Sequence, residues 1–131
     1  MHGNSPYSFP MERNWGEMTY RMAQLITGHG CFNTYLYRIG KAELPQCFYC
    51  NMEDSTEHHI AECSKWNVER EALKAVVGED LRLSMIVRKL CEKEEAWLAF
   101  SQFAESTLII KEEDERIRQR RHDSDSEEIV D

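Results

Sequence analysis

The segment Cys47-Phe-Tyr-Cys50-Asn-Met-Glu-Asp-Ser-Thr-Glu-His58-His59-Ile-Ala-Glu-Cys63 decides how this chain folds. Two cysteines stand two residues apart, and a histidine and a third cysteine follow. Zinc is held by about four thiolate or imidazole ligands in a tetrahedron, and a Cys-x2-Cys turn supplies two of them from one place. The second pair must arrive from a separate element. A short helix carrying His58, His59 and Ile60, capped by Asp54, Ser55 or Thr56, supplies it. Helical geometry favours His59, because positions i and i+4 share a face. A helix that unwinds just before Cys63 serves His58 equally well, so spacing leaves the choice open. With all four positions filled by side chains and none left for water, the metal is structural rather than catalytic.

The rest of the composition fits a small domain that needs such a staple. A chain of 131 residues has room for one domain, and its apolar content of 41% is modest beside 31% charged residues. A domain of this size buries only about two-thirds of the surface its unfolded chain exposes. Closing a zinc site contributes on the order of 10 kcal/mol of folding free energy. The five cysteines are an odd number, and three of them fall within seventeen residues beside two histidines. That distribution suits metal better than a disulfide framework. Cys31 and Cys91 lie outside the cluster and read as packing cysteines. No apolar run reaches the ~20 residues of a membrane span, and nothing near Met1 reads as a signal peptide. The expectation is an intracellular chain, in cytoplasm or nucleus, with no membrane partner.

Working outward from the cysteines, the pattern is helical. Residues 1–14, with Gly3, Pro6 and Pro10, read as a disordered lead-in. From 15 to 46 the chain reads as a helical segment. Met18, Met22, Leu25 and Ile26 recur at helical spacing before Gly28, and Phe32, Tyr35, Leu36 and Ile39 mark a second helix ended by Gly40. Residues 47–63 form the knuckle, and residues 64–121 form a second helical segment. There, Trp66 to Val77 is closed by Gly78, a short helix starts near Ser84, and a long one runs from Glu94 to about Arg121. Trp97, Phe100, Phe103, Ala104, Leu108 and Ile109 give the long helix an apolar part. Past Ile110 the charged run reads as a solvated face held by i,i+4 pairs. Residues 122–131, acidic and including Ser124 and Ser126, read as a disordered tail. The fold class is mostly α: short helices around a CCHC zinc knuckle, followed by a long C-terminal helix.

The order of these motifs resembles the C-terminal region of insect non-LTR retrotransposon polyproteins, closest to the clade that inserts into ribosomal RNA genes. Family members share a Leu-Thr-Gly-His-Gly-x-Phe-x-x-Tyr-Leu-x-Arg stretch ahead of the cysteines, matched here between Leu25 and Arg38. They share an Asp-Thr-x-Glu-His ending, matched by Asp54, Glu57 and His58, with Cys63 four intervening residues later. Trp66 and Arg70, the segment from Gly78 to Leu90 and the stretch from Glu95 to Arg118 complete the likeness over roughly residues 15–121. Met85 stands where the family commonly has Pro.

The resemblance implies a ligand set of Cys47, Cys50, His58 and Cys63 around one structural zinc ion. It also implies a region that holds template RNA or target DNA beside a polymerase during target-primed reverse transcription. Neither the Asp-Asp polymerase motif nor an endonuclease constellation is found in these residues. The chain therefore reads as a detached C-terminal piece (a fragment, a truncated copy or a co-opted descendant), not an enzyme on its own. The parent resembled is an RNA-directed DNA polymerase with endonuclease. Phe48 and Tyr49, with Trp66, are candidates to stack on single-stranded bases, and Arg38, Lys41, Lys65 and Arg70 to contact phosphate. The net charge of −8 argues against indiscriminate nucleic-acid binding, although residues 1–46 are nearly charge-balanced. Two rival readings stand: a zinc-stapled module that docks a protein partner through its charged helix, and a relic without a task. His29, between two glycines, reads as a loop or capping residue.

Overall fold

The computed structural model describes residues 16–129, with side chains described through residue 121. The expected lead-in over 1–14 lies outside these residues. Six α-helices follow in order: α1 (Tyr20–Thr27), α2 (Asn33–Arg38), α3 (Thr56–Ala61), α4 (Asn67–Val77), α5 (Leu83–Glu92) and α6 (Glu94–Ile129), with a 3-10 turn (Ser64–Trp66) before α4. Among the described residues there is no strand, only one isolated bridge between Gln46 and Glu53. The mostly α class expected from the sequence is what forms. No described helix is long and apolar enough to cross a membrane.

Local chemistry sets the boundaries. α1 begins later than the apolar period suggests, because Thr19 caps it by accepting a hydrogen bond from the Met22 N–H at 3.1 Å. Gly28 ends it in the left-handed conformation (φ 74°), its N–H reaching Gln24 O, which only glycine adopts without strain. At Gly30 (φ 79°) a Cβ would also collide with the Gln24 side chain, whose Oε1 accepts from the Cys31 N–H. α6 is 36 residues long and packs against α1, α4 and α5. No Gly or Pro follows Glu94, so nothing in the backbone stops the helix. The tail expected to be disordered from residue 122 is therefore helical in its backbone as far as Ile129.

The core gathers Met22, Leu25 and Phe32 from the N-terminal part, Ile60, Trp66 and Leu73 from the middle, and Ile86 and Leu90 from α5. All of them close on Trp97, Phe100, Phe103, Ala104 and Leu108 of α6. Ile109 is half-exposed, one position out of phase with Leu108. The buried stripe does not end at Ile110. Lys111 and Glu115 continue it at three- and four-residue steps from Leu108, so the charged run is not uniformly a solvated face.

Candidate metal centre

The cysteine turn is a minimal hairpin. Cys47 donates its N–H to Met52 O and accepts from Asn51 N–H at 2.8 Å, and Asn51 takes the left-handed conformation (φ 65°) that closes the turn. Asparagine tolerates that region better than most residues. Ser55 then caps α3, its Oγ accepting from the His58 N–H at 3.1 Å. After Ala61 the helix unwinds: Glu62 leaves helical geometry (φ −127°), and both Glu62 and Cys63 donate their N–H groups to His58 O.

That break brings His58, rather than His59, to the cysteines. In an unbroken helix His59 and Cys63 would share a face, but here the chain turns Cys63 back toward His58. The ligand atoms of Cys47, Cys50, His58 and Cys63 all lie within 4.8 Å of one another. Cys50 Sγ is 3.1 Å from His58 Nε2, and Cys47 Sγ is 3.8 Å from Cys63 Sγ. Two thiolates each ~2.3 Å from a tetrahedral ion stand about 3.8 Å apart, so the donor set fits one metal ion. His58 Nδ1 lies 3.3 Å from Glu62 Oε1, which orients the ring with Nε2 inward. Burial pushes the Cys47 thiol up to about 12 and raises that of Cys63 as well. Each is therefore a neutral thiol unless a cation draws the proton off, so metal loading releases protons.

His59 has a different role. It is fully buried among Phe32, Trp66 and Phe103, and its Nε2 lies 2.8 Å from Thr107 Oγ1. The Thr107 hydroxyl donates to Phe103 O, so it accepts from His59. Burial, reinforced by the charges of Lys111, Arg70 and His58, holds the imidazole well below its ordinary pKa. It is a neutral strut between the knuckle and α6.

The residues expected to meet nucleic acid divide sharply. Arg38 and Lys41 are exposed at and beyond the end of α2. Phe48 is 40% exposed with its ring 4.6 Å from that of Tyr49, and Lys65 is exposed with its ammonium over the Tyr49 and Trp66 rings. Tyr49 is partly buried and donates its hydroxyl to Asp114 at 2.6 Å, while Trp66 is core. Arg70 does not face solvent. It is 5% exposed, and its guanidinium donates to Ile60 O (2.8 Å), His59 O (3.2 Å), Cys63 O (2.6 Å) and Asn67 Oδ1 (2.7 Å). Three of those acceptors are carbonyls of α3 and the ligand loop. The His59 and Ile60 carbonyls lose their helical partners where α3 stops, and Arg70 answers that need; Cys63 O accepts the Trp66 N–H as well. Of the cysteines outside the cluster, Cys31 is buried, its thiol pushed up to about 12 by desolvation, and Cys91 is exposed.

The least expected residue at the centre is Lys111. Its side chain is 1% exposed and its ammonium donates to both carboxylate oxygens of Asp54, itself 1% exposed, at 3.0 and 2.9 Å. The Phe32, Phe48 and Tyr49 rings surround that ammonium at 5.4–5.6 Å. Asp54 also accepts the Asn33 N–H at 2.8 Å, so one ion pair ties the knuckle to α2 and α6. A signal for it exists in the sequence: Lys111 keeps the phase of Ala104 and Leu108.

These features define a mostly helical domain built around a Cys3His cluster able to hold one metal ion. No protein-family model matches the chain, and no solved structure does. Over 94 residues, 72% of its length, the chain is 23% identical to the Retrovirus-related Pol polyprotein from type-1 retrotransposable element R1 4 of Nasonia vitripennis. The chain spans about a quarter of that polyprotein, the match covering 24% of it. The similarity supports a retrotransposon origin.

Proposed function

We propose that this chain is a zinc-stabilised, nucleic-acid-binding C-terminal region of a retrotransposon reverse transcriptase, which holds template RNA or target DNA near the polymerase. The observation that carries the reading is the convergence of Cys47, Cys50, His58 and Cys63 within 4.8 Å in a chain similar to a Pol polyprotein. Three cysteines and one histidine are the ligand set zinc takes in closed structural sites. Around it, Phe48 and Lys65 offer an exposed ring and an exposed cation, and Arg38 and Lys41 add positive charge. Arg70, committed to backbone carbonyls, is not among the contacts.

The test is a titration of the zinc-loaded chain with single-stranded RNA and with duplex DNA at two salt concentrations. Micromolar or tighter affinity that weakens as salt rises is the expected result, because phosphate contacts release counterions. Absence of binding to either with metal loaded sinks the reading. A second reading, a protein-docking module, rests on Leu98, Ile109 and Ile110, which α6 leaves exposed. It predicts no affinity for nucleic acid at any salt.

A further inference from the structure

The Thr27-Gly-His-Gly30 stretch gives nothing to the Cys3His cluster, yet its Thr27, Gly28 and His29 border a cleft of about 230 Å³ between the end of α1, α2 and the start of α3. Its walls include His29, Thr34, Tyr35, Arg38, Ser55 and Glu57. His29 is exposed, and its imidazole stacks on the Tyr35 ring with centroids 4.5 Å apart and planes 28° from parallel. The Arg38 guanidinium lies over the same Tyr35 ring at 5.5 Å.

Five arginines elsewhere are committed to partners in the fold. Arg21, Arg82, Arg116 and Arg118 are paired with carboxylates, and Arg70 with carbonyls. Arg38 makes no hydrogen bond or ion pair with any described residue, and neither do the His29 ring nitrogens nor the Tyr35 hydroxyl. The Thr34 and Ser55 hydroxyls are spent inside the fold, on Asp54 O and the His58 N–H. One cleft therefore gathers an aromatic stack, a cation with all its donors free, and two more unspent polar groups.

We infer that this cleft takes one nucleotide of a single strand, its base stacked against the His29–Tyr35 pair and its phosphate held by Arg38. The chemistry selects this ligand on three counts. A planar base matches the ring stack, an adjacent anion matches the free guanidinium, and the ring nitrogens and phenol can read a base edge. Glu57 is the single acid in the lining and bars a second phosphate from that side. A paired base, covered on both faces, cannot enter such a slot, so the site favours single-stranded over duplex nucleic acid. The inference rests on the nucleic-acid reading above and assigns it a place in the cleft between α1, α2 and the start of α3.

The zinc-loaded chain is titrated with a fluorescent single-stranded RNA of about a dozen nucleotides, alongside the His29→Ala/Arg38→Gln double variant. Loss of one stacked base and one phosphate contact should weaken binding about tenfold or more, with zinc content and thermal midpoint unchanged. If the parent binds RNA and the double variant binds as tightly, the cleft is not the site, although the nucleic-acid reading survives. If the parent binds no nucleic acid, both readings fall. A measurement on the parent guards against a variant that misfolds. His29 and Tyr35 ring resonances should shift as RNA is added, and shifts confined to other residues overturn the assignment.

Discussion

The two ends of α6 are anchored by opposite means. Its first four turns hold the core through Ala96, Trp97, Phe100, Phe103, Ala104 and Leu108, an apolar stripe set against α4, α5 and the knuckle. Beyond Leu108 the same stripe is polar. Lys111 grips Asp54, Glu112 accepts from Arg21 (2.8 Å) and Gln24, Asp114 accepts from Tyr49, and Arg118 reaches Asn33. Apolar burial is non-directional and tolerates sliding, whereas a buried ion pair tolerates little misplacement. The polar half ties α6 to the cysteine loop, α1 and α2 through directional contacts. The apolar half supplies the bulk of the burial.

Removing the metal tests the dependence of the polar half on the knuckle and should have the largest effect. Cys50→Ser, or His58→Ala, should abolish the one-metal-per-chain stoichiometry in elemental analysis. It should also cost on the order of 10 kcal/mol, enough to unfold a domain of ordinary stability. Unchanged metal content in Cys50→Ser refutes the centre.

Lys111→Met comes next. It strands Asp54 as a buried, unpaired charge and should lower stability by about 3–5 kcal/mol in urea unfolding of the metal-loaded chain. Adding Asp54→Asn removes that charge while keeping an acceptor for the Asn33 N–H. The double variant should be more stable than Lys111→Met alone. A double variant less stable than the single would mean that the pair acts through something other than its charges.

His59→Ala, on the seam between the two halves, should be the mildest of these. The lost ring packing, with the Thr107 oxygen left without its imidazole donor, should cost about 2–4 kcal/mol, with full metal content retained. Metal loss in this variant, and not in His58→Ala, would reverse the assignment of the third ligand.

The sequence alone made the helices legible. The apolar period and the glycines at 28, 40 and 78 mark where α1, α2 and α4 end, and the absence of Gly and Pro after Glu94 marks the longest element. The clustering of Cys47, Cys50 and Cys63 was equally plain, because Cys-x2-Cys with a distant third cysteine has few other uses. These are properties of spacing along the chain, and spacing survives in one dimension.

What only the tertiary structure decided concerns which face a polar residue turns to. His58 and His59 are neighbours with equal chemistry, and the unwinding of α3 after Ala61 sets one beside the cysteines and leaves the other in the core. Arg70 reads as a surface cation until the His59 and Ile60 carbonyls at the end of α3 need donors. Lys111 stands at the head of a charged run, yet Asp54, 57 residues earlier, neutralises it in the interior. A charge is buried only when a partner arrives from elsewhere in the chain, and that partner has no fixed distance in sequence.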